Sequence, residues 1–326
     1  MSYGLRTAIA VIVLAAGITA AAPLLADNYP TRPVTIIVAS TPGGGTDIVS
    51  RIVGEQLSRQ LGQPFVVQNL PGAGSLTGTE VAAKAAPDGY TLQTGLNASM
   101  AVNPSLFAHM PYDPVADFAP IGMMAEFPFA IVVSKKFPAH TIKDLIAMAK
   151  ERPGAINYAS AGIGTGQQLS MELFKLMTGT NFTHVPYRGA APAYTDVISG
   201  QVPVFFDNLA SALGQIKGGS VRALATTGKS RSPLLPDVPT VEEAGVPGYT
   251  YYTWFGLWAP KKTPQPVIDK LHTELQKALA AAAVRDRIRA AAGETMNMPL
   301  ADIEPFLKSE IVKWAKVVKQ AGIAPQ

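Results

Sequence analysis

The residues of this chain that could do chemistry lie in glycine-rich stretches: TPGGGTD (Thr41 to Asp47), NLPGAGS (Asn69 to Ser75), GIGTGQQ (Gly162 to Gln168) and YRGAAPA (Tyr187 to Ala193). Phosphate is the first ligand such glycines suggest. A Walker loop, however, needs a lysine for phosphate charge and a following hydroxyl for magnesium. Here GGG is followed by TDIVS, and Asp47 would repel a phosphate if its side chain faced one. The G-x-G-x-x-G spacing of a dinucleotide site is missing too. Two readings stay open at this point: a tight strand-to-helix turn with Thr46 or Asp47 as N-cap, or a site for a smaller anion.

A helix start exposes backbone N–H groups without intrahelical partners and the positive end of the helix dipole. The dipole contributes about 0.3–1 kcal/mol per helix end, up to ~2 when partly buried. Micromolar affinity requires about −8.2 kcal/mol. Charge-assisted hydrogen bonds of roughly 1.5–3 kcal/mol each must supply the rest. Backbone N–H groups and the side chains of Thr46, Ser75, Thr165, Gln167 and Gln168 are the available donors. Neutral donors suit a carboxylate that has to be released again.

Other reactive groups are sparse. There is no cysteine, hence no thiolate, disulfide or sulfur metal ligand. His109, His140, His184 and His272 are scattered, none in an H-E-x-x-H or G-x-S-x-G setting, so structural or exposed roles are expected for them. Asp207 in VFFDNLA ends a strand and either caps the next helix or meets a ligand hydroxyl, amine or water. Facing a carboxylate directly would be unfavourable unless one of the two were protonated. Arg188 in PYRG offers a bidentate carboxylate clamp or, the favoured reading, a solvated rim residue. The aromatic run Tyr249, Tyr251, Tyr252, Trp254 and Phe255 is expected mostly to pack, with one or two rings free to line a cleft.

These stretches need elements to hold them. VTIIVA reads as a buried strand, and Ile48, Ile52, Val53 and Leu57 recur at helical spacing over 47–61. Strand FVVQN, a helix over 76–86 and strand YTLQTG follow. After the loop-rich NPSLFAHMPYDPVADFAP, strand FAIVVS opens a second alternation. It has helices near 142–150, 168–178, 190–199 and 209–217 and strands near 156–159, 183–185, 202–207 and 221–226. YTYYTWFGLWAP then precedes helices over 265–282, 284–292 and 300–320. Each glycine-rich stretch falls after a strand and before a helix, at the edge where open parallel sheets bind ligands. Alternation of this kind predicts an α/β fold with a mostly parallel sheet. Two alternating units imply two lobes, with both long apolar runs crossing between them: 27–126 plus 249–326 form one lobe and 127–248 the other.

The chain has 326 residues, 48% hydrophobic and 15% charged, enough for two cores. Residues 1–26 begin with Arg6, continue in an apolar run and end in small residues, the layout of a secretory signal peptide. That run is near the short end of the ~17–25 residues a membrane span needs. Beyond Arg6, 26 basic side chains stand against 23 acidic ones, net +3, and they are dispersed. No nucleic-acid partner is expected from so mild an excess. An exported, periplasmic chain is the inference.

At this point long segments of the chain match a known pattern. VTIIVASTPGGGTDIVSRIVGEQLSRQLGQPFVVQNLPGAGSLTGTEVAAKAAPDGYTL, NPSLFAHMPYDPVADFAPIG, HVPYRGAAPAYTDVISGQV and WFGLWAPKKTP occur in the order found in the periplasmic receptors of tripartite tricarboxylate transporters, the Bug proteins, which this chain resembles over nearly its whole mature length. The resemblance implies a two-lobed, hinge-closing binding protein of type II, the Venus flytrap, each lobe a mixed, mostly parallel sheet flanked by helices. It implies no catalysis, no cofactor and no metal. It also implies a small carboxylate, dicarboxylic, tricarboxylic or aromatic, held by backbone amides and ordered waters and passed by a monomeric receptor to membrane permease subunits. The alternatives are an exported enzyme on the same scaffold and a sensor for a membrane signalling partner.

The expected contacts are Pro42, Gly43, Gly44, Gly45, Thr46 and Asp47 in the first loop, then Ser75 and Asn97. From the middle of the chain come Gly164, Thr165, Gln167 and Gln168, then Arg188, Gly189, Ala190, Pro192 and Asp207. Two departures stand out. Gln167 and Gln168 occupy the place where relatives have a histidine before the leucine, and NLPGAGS replaces NRPGAGG. The family's contact to the distal end of the ligand therefore does not carry over.

Overall fold

The computed structural model describes residues 28–323 and Pro325; the leader expected at 1–26 lies outside them. Strand β1 (Val34–Val38) is a β-branched run buried on both faces, as a central parallel strand must be. Helix α1 (Gly45–Leu61) lays Val49, Ile52, Val53 and Leu57 against it. The helix ends where Gly62 takes a left-handed φ of 70°, its N–H closing on the Ser58 carbonyl. β2 (Phe65–Asn69), α2 (Leu76–Ala83) and β3 (Thr91–Leu96) follow, then a short α3 (Asn103–Leu106).

β4 (Phe118–Ser134) is the longest strand and begins eleven residues before the expected FAIVVS. Pro120, Gly122 and Pro128 hide that start from a propensity reading, and the register shifts between Pro120 and Gly122 and again between Met123 and Ala125 accommodate it. α4 (Ile142–Glu151) opens with a Thr141–Asp144 capping box. β5 (Asn157–Ser160), α5 (Gly166–Thr178), β6 (Thr183–Pro186), α6 (Ala190–Ser199), β7 (Val204–Asn208), α7 (Leu209–Lys217) and β8 (Val221–Thr226) repeat the strand–helix alternation. β9 (Tyr252–Pro260), α8 (Gln265–Ala280), α9 (Ala282–Ala290), the two-residue β10 (Glu294–Thr295) and α10 (Leu300–Gln320) complete the described chain.

The fold is α/β, with a ten-stranded mixed sheet in the order β2-β1-β3-β9-β4-β7-β5-β6 and with β8 and β10 pairing β4 off that path. β1 lies between β2 and β3, all parallel, and β5 lies between β6 and β7, all parallel. Two copies of one three-strand arrangement therefore flank the antiparallel pair β9–β4. Strand β4 pairs with β9 from Phe118 to Pro128 and with β7 from Phe129 to Val133.

One hydrophobic cluster runs through both copies, joining Ile37, Met100, Phe129, Phe174, Tyr251, Trp254, Trp258 and Trp314. Most of the aromatic run is core: Tyr249, Tyr251, Trp254, Phe255 and Trp258 are all buried. Fully burying one large apolar side chain is worth roughly 1.5–3 kcal/mol, so this run locks the junction of the two copies. The indole N–H groups of Trp254 and Trp314 both donate to Glu310 at 3.0 Å. Lys313 neutralises that carboxylate at 3.2 Å, so the polar rings stay satisfied while buried.

Candidate functional site

The ends of β1 and β5 lead into loops with one backbone design. In the first, Gly43 has a φ of +86°, Gly44 is an extended N-cap (φ −78°, ψ 168°) and Gly45 starts the helix. In the second, Gly164 has a φ of +75°, Thr165 is an extended N-cap (φ −72°, ψ 159°) and Gly166 starts the helix. Neither N-cap closes the helix with its side chain. The brace comes instead from the third helical residue reaching back. Asp47 accepts from the Gly43 N–H at 3.0 Å, and Gln168 Oε1 accepts from the Gly164 N–H at 2.7 Å. Neither Thr46 nor Asp47 is the N-cap, contrary to the sequence expectation, because the left-handed glycine starts the helix earlier.

The first i→i−4 bonds run from the Ile48 N–H to the Gly44 carbonyl and from the Leu169 N–H to the Thr165 carbonyl, both 3.0 Å. The N–H groups of Gly45, Thr46 and Asp47, and those of Gly166, Gln167 and Gln168, have no partner among the described residues. Side chains add to these donors. Thr46 and Gln168 are each only 5% exposed, yet the Thr46 hydroxyl and the Gln168 amide nitrogen make no hydrogen bond among the described residues. Both loops are therefore rich in donors and free of any side-chain cation, which fits a carboxylate better than a dianionic phosphate.

The Asp47 side chain is already engaged, although its backbone N–H is among the unpartnered donors. Gly43, Arg51 and Asn69 occupy both its oxygens, with Arg51 Nε at 3.0 Å, a terminal Arg51 nitrogen at 2.9 Å and Asn69 Nδ2 at 3.0 Å. Burial pushes its carboxyl up. The bonds from Arg51, Gly43 and Asn69, with the Arg51 charge, outweigh that and hold it below the ordinary carboxylate range. Asp47 shapes the loop from behind, and its charge is compensated before any ligand arrives.

Tyr251 stands against the second loop, fixed by its backbone to Thr227. Asn97 Nδ2 donates to the Tyr251 hydroxyl at 3.4 Å, while Asn97 Oδ1 accepts from the Ala98 N–H. A Cβ on Gly166 would sit 2.8 Å from both the Tyr251 hydroxyl and the Phe129 ring, and one on Gly164 would sit 2.6 Å from Leu106. Asn97, Leu106, Phe129, Tyr251 and the second loop thus form one contact group. Sequence reasoning missed Leu106 and Phe129 within it. A Cβ on Gly45 would meet the Phe255 ring at 3.4 Å, an ordinary contact.

The last four residues before α2 all have positive φ: 144° at Gly72, 43° at Ala73, 62° at Gly74 and 76° at Ser75. Asn103 Nδ2 holds the Gly74 carbonyl at 2.9 Å. Two residues with side chains in this region store strain, a feature that clusters at ligand sites. Ser75 is half-buried, and Pro42 is exposed on the rim. Arg188 and Pro192 are exposed as well, and Arg188 makes no hydrogen bond or ion pair among the described residues. Gly189, with a φ of 119°, is the N-cap of α6, and half-buried Ala190 is its first residue.

Asp207 is fully buried. It does not cap α7: Asn208 does, its Oδ1 accepting from the Ala210 N–H at 3.0 Å. Gln167 Nε2 donates to Asp207 Oδ1 at 3.1 Å, and the Ser211 hydroxyl donates to Oδ2. Burial pushes the Asp207 carboxyl up, against the pull of the Ser211 and Gln167 hydrogen bonds. His184 carries another relation that spacing does not reveal. Its Nε2 lies 2.6 Å from Ser160 Oγ, and its ring stacks on Tyr158 with centroids 4.8 Å apart. Ser160 also accepts from the Gly162 N–H at 3.1 Å, so the pair steadies the second loop.

A family model described as the tripartite tricarboxylate transporter family receptor matches residues 49–323. Protein BugT of Bordetella pertussis is 38% identical over 320 residues, covering 98% of this chain and 97% of that one. Among solved structures, R. palustris Rpa4515 with adipate is 37% identical with a TM-score of 0.79, covering 91% of this chain and all of that one. MatC from Rhodopseudomonas palustris with bound malate is 32% identical with a TM-score of 0.75, covering 89% of this chain and all of that one.

Proposed function

The chain belongs to the tripartite tricarboxylate transporter receptor family, and from that premise we propose that it is a periplasmic receptor that grips a small carboxylate between the Gly43–Asp47 and Gly164–Gln168 loops and hands it to the membrane permease of such a transporter. The matched pair of helix starts, each with unpartnered N–H groups and one buried side-chain donor, carries this reading. A carboxylate arriving there exchanges water for convergent, charge-assisted hydrogen bonds at about 1.5–3 kcal/mol each. It joins two surfaces and so favours the closed arrangement by its additional contacts. Adipate and malate in the relatives make a two-ended acid the leading candidate.

The same reading takes residues 27–126 with 249–326 as one lobe, residues 127–248 as the other, a monomer as the working form and residues 1–26 as the export signal. The change of partner along β4, from β9 to β7 at Phe129, supports the lobe division. A binding role without turnover fits the one serine–histidine pair described above, since Ser160 is fully buried.

A thermal-shift screen over a panel of mono-, di- and tricarboxylates tests the reading. An acid at roughly 100 times its dissociation constant adds about 2.7 kcal/mol of stability and raises the melting temperature. A response to neutral sugars or amines with none to any carboxylate would overturn it.

A further inference from the structure

Resting on the reading that a carboxylate bridges the two loops, we propose that the second loop selects a diacid with a hydrogen-bond donor, a hydroxyl or amino group, on the carbon next to its distal carboxylate, and that the Gln167 side-chain oxygen reads this donor. The two glutamines that open α5 are held in opposite senses. Gln168 spends its Oε1 on the Gly164 N–H, so its NH2 group is the end left over, on a side chain 95% buried and without a partner for that nitrogen. Gln167 spends its Nε2 on Asp207, so its Oε1 is the end left over, on a half-buried side chain. Consecutive positions of one helical turn therefore offer a donor and an acceptor beside the free N–H groups.

The polarity of Gln167 is fixed from beneath. Asp207 is fully buried and takes the Ser211 hydroxyl on its other oxygen. With Asp207 ionised its Oδ1 can only accept, so turning the Gln167 amide over would set oxygen against oxygen. An unsubstituted diacid brings only acceptors to this end and meets the Gln167 oxygen lone pair to lone pair. A hydroxy or amino acid places its carboxylate on the donors and its O–H or N–H on Gln167. The first loop has no counterpart: Asp47 has no oxygen to spare, and the Thr46 hydroxyl, at the position equivalent to Gln167, can rotate to donate or accept.

Calorimetric titration of the full mature chain with matched pairs tests this. The pairs are malate against succinate, 2-hydroxyglutarate against glutarate and 2-hydroxyadipate against adipate, both enantiomers of each hydroxy acid, with the methyl-substituted parents as size controls. At the chain length that binds best, one hydroxy enantiomer is expected to bind at least about ten-fold tighter than both its parent and the methyl analogue. Asp207→Asn gives residue 207 an NH2 group that can donate to Gln167 and turn its amide over, so the hydroxy-to-parent ratio is expected to fall within about three-fold or invert. Gln167→Met removes the acceptor without adding charge and is expected to bring the ratio within about three-fold even if Asp207→Asn does not fold. Parents binding as tightly as their hydroxy acids, or a ratio that survives in Gln167→Met, overturns the inference and leaves the receptor reading standing. Absence of binding by every acid in the set overturns both.

Discussion

At Gly43–Asp47 the third helical residue is an aspartate closed off by Arg51 and Asn69, whereas at Gly164–Gln168 it is a glutamine with its amide nitrogen still free. The backbones agree to the extent of a left-handed glycine, an extended cap and a glycine in the first helical position. The shared part supplies N–H groups, which grip any carboxylate alike, and the side chains decide what else is read. A further difference lies behind the loops. Gly45 touches one ring at ordinary distance, while Gly166 is wedged against Phe129 and the Tyr251 hydroxyl. Both loops carry an internal brace, and the second is in addition wedged from outside.

The largest effect should come from testing that external wedge. Gly166→Ala places a methyl 2.8 Å from Phe129 and Tyr251, and overpacking of this kind costs about 3 kcal/mol. Gly45→Ala, at 3.4 Å from Phe255, is expected to cost less than about 1 kcal/mol, so urea denaturation and ligand titration of the pair should separate widely. Equal losses would mean that the loops are supported alike.

Asp47→Ala comes next. It removes the acceptor of the Gly43 N–H and the carboxylate partner of Arg51, while Asn69 keeps its bond to the Ser40 carbonyl, and losing these charge-assisted hydrogen bonds costs about 2 kcal/mol at neutral pH. Because the Asp47 carboxyl is held below its unfolded value of about 3.9, its contribution is complete above that pH and disappears as the pH falls through the lower folded value. The gap between wild type and variant should therefore close on acidification below about pH 4, and a gap independent of pH would take the charge out of the brace. Ser75→Gly is the smallest of the three and has the opposite sign. Relief of a left-handed side chain at φ 76° should stabilise by about 1 kcal/mol. A destabilisation, seen as a lower denaturation midpoint, would show that the hydroxyl has a structural partner.

Much of the alternation was legible because β-branched runs and helical apolar spacing mark the elements: FVVQN, VRALAT and the helices over 190–199, 209–217 and 300–320 stand where the pattern puts them. The first eleven residues of β4 were not, since proline and glycine there mark bulges in a strand that owes its place to β9, more than a hundred residues later. At the site, the donors could be named from residue type. The saturation of Asp47 could not, because Asn69 belongs to another strand, and neither could the Tyr251–Asn97 contact, 154 residues apart in sequence.

What the sequence determined by itself is the chemical character of the site: glycines that free the backbone, no lysine to hold phosphate, neutral side chains at the helix starts, and strands and helices in an order that brings those starts to one edge. Only the tertiary structure decided which polar atoms remain available. Whether an amide shows its oxygen or its nitrogen, and whether a carboxylate is open or consumed, depends on partners brought together by packing. A hydrogen-bonding group has a fixed capacity, and its neighbours in space determine how much of it is left for a ligand.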